Sequence, residues 1–428
     1  MTAYPSDALS VQLPTLKSGP VSVAGWIYRV RHIGGLTFVV IRDGQGLMQV
    51  RHDDADAPLP GLEPEMAVRV SGVLVADPRA PGGVEIREPA FRVLAESESP
   101  LPFHLGAPAL EAGLDLRLNY RTLSLRHPAA RPVFHLEAAL AQGFRNCLNA
   151  QHFTEVWTPK LLGTASESGA NVFSVQYFDR EAYLAQSPQF YKQMLVGAFG
   201  RVFEIGPVFR AEPHDTARHL SQYTSMDMEM GFIEDHHTVM AVLRDVVAFM
   251  LETARPESAV DWPKVPDTIP AVHFADALDL VSEGLGEDVR HEPDLAPAHE
   301  QWLGEWAKSR YGSDFLFVEG YPMQKRPFYT TPDPARPLYS NSFDLLFRGQ
   351  EIVTGGQRLH RYQDYLNALD NRGLSRAGLE GYLDAFRYGM PPHGGFAIGL
   401  ERLASRLMGL SNIRDAALFP RDLKRLEP

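Results

Sequence analysis

The segment Arg201-Val-Phe-Glu-Ile-Gly-Pro-Val-Phe-Arg210-Ala-Glu212, followed after a polar connection by Tyr223-Thr-Ser-Met-Asp227-Met-Glu229-Met-Gly-Phe-Ile233, decides the reading of this chain. Both halves alternate with the two-residue period of a strand, and the intervening Pro213-His-Asp-Thr-Ala-Arg-His219-Leu-Ser-Gln222 is too polar for a core. The pattern predicts a long antiparallel hairpin. On its second strand Met226, Met228, Met230 and Phe232 are expected on one face, and Tyr223, Ser225, Asp227 and Glu229 on the other. On its first strand Phe203, Ile205 and Phe209 are expected to point one way, and Glu204 and Arg210 the other. One face is then core, and the opposite face carries charges of both signs. Desolvated charges need partners, so a polar ligand is expected to cover that face.

Outward from the hairpin, composition bounds the rest. The 428 residues with 44% hydrophobic content suffice for two or three cores. The single Cys147 excludes an internal disulfide and suits a reducing compartment, so a cytoplasmic location is expected. The N-terminus lacks a basic region followed by an apolar run, and the most apolar helix candidate, Val239 to Leu251, is interrupted by Arg244 and Asp245. Neither export nor a membrane span is expected. The net charge of -12 requires that any nucleic-acid partner be met by local basic patches.

The first hundred residues hold five short alternating runs, Val21 to Val30, Thr37 to Arg42, Leu47 to His52, Ala67 to Val75 and Val84 to Ala95, punctuated by glycine turns. Such spacing predicts a small closed β-barrel over residues 1–104. A hinge-like stretch, 105–127, precedes a second domain, 128–428, which opens on a helical pattern from Pro128 to Gln151. Between Thr253 and Arg310 the chain reads as helical and charged, without recognisable chemistry. In Ser342-Phe-Asp344-Leu-Leu-Phe-Arg-Gly-Gln-Glu351-Ile-Val-Thr354, a two-residue turn at Gly349-Gln350 would pair Arg348 with Glu351 and put Asp344 on the same face. Magnesium prefers few protein carboxylates plus phosphate oxygens and water, and Asp344 with Glu351 would supply them.

Phe209-Arg-Ala-Glu212 with His219 resembles motif 2 of the class II aminoacyl-tRNA synthetases, and Gly394-Gly-Phe-Ala-Ile-Gly-Leu-Glu-Arg402-Leu resembles motif 3. Phe153-Thr-Glu-Val-Trp-Thr-Pro159 resembles the proline-bearing end of motif 1, which in the family packs at a dimer interface. Each alone has a plain structural reading, but three in the family's order and spacing make chance coincidence very small. The resemblance implies an α+β protein: an N-terminal five-stranded OB-fold barrel, then a class II catalytic domain built on an antiparallel sheet flanked by helices. It implies ATP as substrate, Mg2+, tRNA as partner and a homodimer with Pro159 at its interface. Carried over by position, Arg210 is expected at the α-phosphate and the amino-acid carboxylate, and Arg402 near the γ-phosphate and the adenine face. Glu212, His219, Tyr223 and Glu351 are expected around the nucleotide. Fixed arginines suit this chemistry, because a carboxylate must attack an electron-rich phosphorus and a planar guanidinium holds oxyanions without losing its charge.

Gln186-Ser-Pro-Gln189-Phe-Tyr-Lys192-Gln193 resembles the aspartyl enzymes of the class, whose lysine contacts the side-chain carboxylate of the amino acid. Arg358 matches a second contact to that carboxylate, and Glu167, Gln189, Asp227 and Thr354 match residues around the rest of L-aspartate. In the barrel, Arg31, Phe38 and Gln49 match positions that hold anticodon bases, by stacking and edge reading. Tyr28, His32 and Pro81 depart from the pattern of tRNA(Asp)-specific relatives, which implies a relaxed enzyme charging both tRNA(Asp) and tRNA(Asn) and so a functional link to a tRNA-dependent amidotransferase. The size fits the compact archaeal or eukaryotic type. Three rivals stand beside this reading. An asparaginyl enzyme differs around Lys192 and Asp227, a synthetase-derived asparagine synthetase has no use for the barrel, and an RNA-binding module has no use for Arg210, Arg402, Asp344 and Glu351 together.

Overall fold

The computed structural model describes residues 7–427 apart from positions 54, 56–58, 60, 99, 108, 165–170, 214 and 257–260. The chain separates into two compact units, one ending at Arg131 and one beginning at Pro132.

In the first unit, β1 (Gly19–Ile33), β2 (Leu36–Arg42), β3 (Leu47–Asp53), β4 (Ala67–Ala76) and β5 (Val84–Ala95) close a barrel in the order β1-β2-β3-β5-β4. Each coincides with one of the five alternating runs. The alternation points Val23, Ile27, Val39, Ile41, Val50, Val70 and Ile86 inward, where they form one apolar cluster. A bulge between Ile27 and Arg29 bends the long first strand, which pairs with β2 along one part and with β4 along another. Residues 105–127, expected as a hinge, carry the short helices α1 (Leu114–Asn119) and α2 (Arg121–Ser124). They are tied to the barrel: the Tyr28 hydroxyl donates to the Ala107 carbonyl at 2.8 Å, and His127 Nε2 lies 3.0 Å from the same oxygen.

The second unit runs α3 (Pro132–Ala150), β6 (Thr154–Glu155), β7 (Leu161–Leu162), β8 (Ser174–Tyr177), β9 (Arg180–Leu184), α4 (Gln189–Phe199), β10 (Arg201–Phe209) and β11 (Gln222–Gly231). It continues through α5 (His236–Ala254), β12 (Ala271–His273), α6 (Phe274–Leu285), α7 (Pro297–Tyr311), β13 (Phe315–Glu319), β14 (Ser342–Phe347) and β15 (Glu351–Arg358). It closes with α8 (Tyr362–Asn371), α9 (Glu380–Asp384), β16 (His393–Gly399) and α10 (Leu400–Leu407). Eight strands form one sheet in the order β12-β13-β14-β15-β16-β11-β10-β6, and β7, β9 and β8 form a small separate one. The neighbours from β13 to β10 are antiparallel, as expected, but the outermost strands β12 and β6 pair parallel, so the sheet is mixed at both edges. Helices α3 and α5 cover one face: Leu140, Phe144, Val246 and Met250 meet Met226, Met228, Met230 and Phe396. That burial leaves the opposite face of the same strands for polar groups.

Two expectations fail locally. Phe232 does not join the methionine face; β11 ends at Gly231, and Phe232 takes a left-handed φ of 61° that turns its ring out to 82% exposure. The β14–β15 turn lies at Arg348-Gly349 rather than Gly349-Gln350. Both residues have positive φ, 48° and 74°, and Phe347 and Gln350 exchange backbone hydrogen bonds across them. A two-residue hairpin whose twist matches its strands needs that geometry, and Gly349 supplies half of it without steric cost. The one-residue slip would have flipped every later side chain. A bulge between Leu345 and Leu346 on one strand and Glu351 and Val353 on the other cancels it, so Asp344 stands opposite Thr354 and keeps the side of Glu351.

Candidate active site

Strands β11, β15 and β16 floor a cavity of about 370 Å³ whose walls are α4, the β10–β11 connection and the start of α10. Its centre is a buried set of four charges. Lys192 Nζ lies 2.9 Å from Asp227 Oδ1 and 3.5 Å from Glu229 Oε2, and it also donates to the Met228 and Phe396 carbonyls at 3.4 and 3.3 Å. Arg358 donates to Glu229 through Nε at 3.0 Å and to the Gly395 carbonyl at 3.0 Å. Ser225 donates its hydroxyl to the other Asp227 oxygen. Although burial opposes it, Arg358 and Lys192 hold the Glu229 carboxyl below its usual range. Helix α4 aims Lys192 here because Gln189, Lys192, Gln193 and Val196 recur on its inward stripe. Gly395 makes room for the set, since a Cβ there would collide with the Met228 carbonyl and the Glu229 carboxylate.

Towards the mouth, Arg210 leaves the end of β10 with its guanidinium over the Tyr223 ring at 5.6 Å and its Nη1 3.9 Å from Glu212. His219 accepts or donates through Nδ1 with Thr216 Oγ1 at 2.6 Å. Arg402 donates to the Glu351 carbonyl at 3.2 Å and lies 3.5 Å from its carboxylate. The neighbouring Glu401 accepts the Thr224 N–H, which ties the first turn of α10 to β11 and so fixes where Arg402 stands. Thr354 Oγ1 donates to Glu351 Oε1 at 3.2 Å. Gln189, Lys192, Arg210, Glu212, His219, Tyr223, Asp227, Glu351, Thr354, Arg358 and Arg402 therefore line a single cavity.

Asp344 does not line it. Its carboxylate is buried 2.9 Å from Arg326 Nη2, and burial pushes its pKa up, with Glu351 adding to the rise and Arg326 opposing it. The two acids thus influence each other while only Glu351 reaches the cavity. Glu167 lies outside the described residues. Pro159 is exposed beside Trp157, which is 78% exposed.

In the barrel unit Arg31 and Phe38 stand opposite each other on β1 and β2, Arg31 exposed and Phe38 half-buried. His32 and Pro81 are exposed, with His32 bonded to Thr37. Gln49 and Tyr28 are different: Gln49 is buried and donates to Glu85 at 3.1 Å, and Tyr28 is buried with its hydroxyl on Ala107. Neither side chain is presented to solution. Gln49, expected to read a base edge, is thus hydrogen-bonded within the barrel, and Tyr28, named as a departure from the tRNA(Asp)-specific pattern, is bonded to Ala107.

Several groups escaped the sequence reading. Glu229 was legible as polar-face but not as the hub joining Lys192 to Arg358. Glu204, on the same face, is satisfied within the protein, by Lys160 at 2.8 Å and by Thr158 N–H and hydroxyl. The stretch that seemed to lack chemistry contributes Glu300 of α7, which receives Arg218 Nη2 at 2.7 Å and contacts the Glu351 N–H.

His393, fully buried where β16 pairs with Arg358, gives a pH signature. Burial pushes its pKa down to about 4, with Glu229 and the Pro391 carbonyl opposing the shift. The unfolded chain takes up a proton on this ring below about pH 6.5, whereas the folded chain does so only near pH 4. Stability is therefore whole above pH 6.5 and is lost as pH falls from there to 4. We expect about 2 kcal/mol from this ring between pH 7 and 5, read as a fall in urea midpoint that His393→Gln flattens.

A family model for tRNA synthetases class II (D, K and N) matches residues 113–423, and one for an OB-fold nucleic acid binding domain matches residues 21–94. The Aspartate--tRNA(Asp/Asn) ligase of Thermus thermophilus is 44% identical over 95% of this chain and 96% of its own. That of Deinococcus radiodurans is 40% identical over the whole of both. Among solved structures, asparaginyl-tRNA synthetase from Pyrococcus horikoshii complexed with asparaginyl-adenylate superposes with a TM-score of 0.92 at 31% identity, covering 99% of this chain and 100% of that one. The barrel, the eight-stranded sheet and the arginine-lined cavity on its open face thus have one explanation, which is that the chain belongs to the class II tRNA synthetases of the D, K and N group.

Proposed function

We infer that the protein activates L-aspartate with ATP and transfers the aspartyl group to the 3′ end of tRNA(Asp) and of tRNA(Asn). The reading rests above all on Lys192. A buried ammonium, fixed between Asp227 and Glu229 with Arg358 alongside, suits an ionised side-chain carboxylate and leaves an amide poorly matched. The aspartate specificity in the names of the Thermus and Deinococcus relatives favours it too. The competing asparaginyl reading draws on the Pyrococcus structure, and pyrophosphate exchange with aspartate against asparagine separates the two.

In the first step an oxygen of the aspartate α-carboxylate attacks the α-phosphorus of ATP, and pyrophosphate leaves. Arg210 would bridge the two anions and stabilise charge on the non-reacting oxygens, while Arg402 would hold the far phosphate and Tyr223 the base. In the second step the ribose 3′-hydroxyl attacks the acyl carbon, loses its proton, and AMP leaves. Catalysis of this kind rests on positioning and fixed charge rather than on a dedicated base. Glu351 on the cavity wall offers the hard carboxylate oxygen that would hold Mg2+, while Asp344, bonded to Arg326, does not line the cavity. When bound with ATP, the ion shields phosphate charge from the incoming carboxylate.

Arg31 and Phe38 are the barrel side chains proposed to meet anticodon bases, and the exposed surface around Trp157 and Pro159 is the proposed homodimer contact. A cytoplasmic location goes with this function. Among the described residues no helix is long and apolar enough to cross a membrane. The departures at Tyr28, His32 and Pro81 from the tRNA(Asp)-specific pattern support weak discrimination against the asparagine anticodon. We expect purified tRNA(Asp) and tRNA(Asn) to be charged with aspartate within about tenfold in kcat/KM, a difference of no more than ~1.4 kcal/mol. Loading confined to tRNA(Asp) rejects dual specificity and leaves aspartate activation standing. Aspartyl-tRNA(Asn) would then need an amidotransferase to become the asparaginyl form, which makes such an enzyme the expected functional partner.

A further inference from the structure

Beside the nucleotide cavity lies a smaller one of about 240 Å³, between the first turn of α7, the β14–β15 turn and the end of α10. Arg218 and Ile413 line both, so the two adjoin. Arg406, Ser411, Gln301 and Gln350 bring polar groups to the smaller cavity, and among the described residues no carboxylate lines it. Glu300, which receives Arg218, belongs to neither lining.

Arg406 is the group that calls for a ligand. It is half-buried, and its Nη2 donates to the Arg348 carbonyl. Its Nε is buried and has no hydrogen-bond partner among the described residues. Burial, and then the charges of Arg218 and Arg348, lower its pKa from the ordinary arginine value. Arg348 is itself only loosely paired, 3.7 Å from Asp314. A partly desolvated cation pressed by two like charges is costly until an anion joins it.

Position narrows the anion's identity. Arg406 follows Arg402 by four residues on α10, so the two share a helix face one turn apart. One end of that stripe is the cavity in which ATP is cleaved on the reading above, and the other is this pocket. Pro297, the first residue of α7, lines it too, so the positive end of that helix adds to the field. Guanidinium forks suit phosphate oxygens, and a pocket of this size suits a small oxyanion rather than a second nucleotide.

We propose that Arg406, with Arg218 and Arg348, forms a second anion site that takes the pyrophosphate released in the first step from Arg402. The inference rests on the adenylate reading given above.

The test fills the nucleotide cavity first. The full chain is saturated with L-aspartate, Mg2+ and α,β-methylene-ATP, so that no chemistry occurs, and labelled pyrophosphate is followed by equilibrium dialysis. Wild type should bind one equivalent without displacing the analogue. Arg406→Gln should weaken that binding about 10–100-fold, the weight of the charge-assisted hydrogen bonds of one guanidinium. KM for ATP and for aspartate should stay within about threefold in the same variant. Arg348→Asn, at a side chain 30% exposed and with a residue type that accepts the left-handed φ of 48°, should weaken pyrophosphate binding less. It decides the matter if Arg406→Gln does not fold. The proposal is overturned if wild type binds no pyrophosphate with the cavity filled, or if the variants bind it as wild type does. Orthophosphate or sulfate bound as tightly as pyrophosphate overturns it as well. Aspartate-dependent pyrophosphate exchange in wild type tests adenylate formation itself, so failure of that reading shows in the exchange and failure of this site in the dialysis.

Discussion

Lys192→Met lowers aspartate-dependent pyrophosphate exchange by roughly a thousandfold in kcat/KM, about 4 kcal/mol, while KM for ATP stays within about threefold. The size follows from where the ammonium sits. It is 2% exposed and faces two carboxylates on the protein before any substrate arrives. Removing it takes away the charge proposed to select the aspartate side chain and also strands Asp227 and Glu229 beside each other. Breaking a buried pair from one side costs about 3–5 kcal/mol of folding stability, so the thermal midpoint should fall as well. ATP binding, followed by fluorescence or calorimetry, shows whether the nucleotide pocket survives. A variant that retains wild-type aspartate kinetics removes Lys192 from the specificity argument. One that gains asparagine activation at aspartate's expense strengthens it.

Arg210→Ala gives the complementary result, a loss of about a thousandfold in the rate of adenylate formation with little loss of stability. Its side chain is 40% exposed and the Glu212 carboxylate is 3.9 Å away, so that ion pair contributes about 0–1 kcal/mol in the ground state. The guanidinium is proposed to act when phosphate charge moves during the reaction. Single-turnover exchange should therefore show a lowered rate constant and modest changes in substrate affinity. Arg210→Lys should restore only part of it, because a point charge cannot bridge two oxyanions as a planar fork does. A rate within tenfold of wild type means that another cation, Arg218 or Arg402, carries the α-phosphate.

Much of this protein was legible before any coordinates. Strand alternation is a strong signal when one face is buried, and all five barrel strands and the β10–β11 hairpin emerge from it within a few residues. The methionine face of β11 did so because nothing but core accommodates three such side chains in alternation. What failed was local backbone geometry. The left-handed φ at Phe232 and at Arg348, and the bulge at Ile352, break a two-residue period that pattern reading must assume. Partner choice was equally invisible: Glu204 and Glu229 look alike in sequence, yet one is satisfied by Lys160 and Thr158 and the other by Lys192 and Arg358. Gln49 was named from its resemblance to an anticodon position and Tyr28 as a departure from the tRNA(Asp)-specific pattern, but their hydrogen bonds run to Glu85 and Ala107, more than thirty residues away in sequence. Glu300 comes from a helix with almost no apolar stripe, so only the folded chain reveals that it reaches Arg218.

The lysine, arginine and two acids at the cavity's base sum to zero charge and share one cramped space that the missing Cβ of Gly395 leaves open. Mutational libraries that vary a single position there will return mostly misfolded or inert proteins, whichever amino acid is being sought. Retargeting the enzyme to an amide substrate calls for co-varied changes at Lys192, Asp227 and Arg358 with Gly395 left alone, so that the electrical balance is redrawn before the shape is altered.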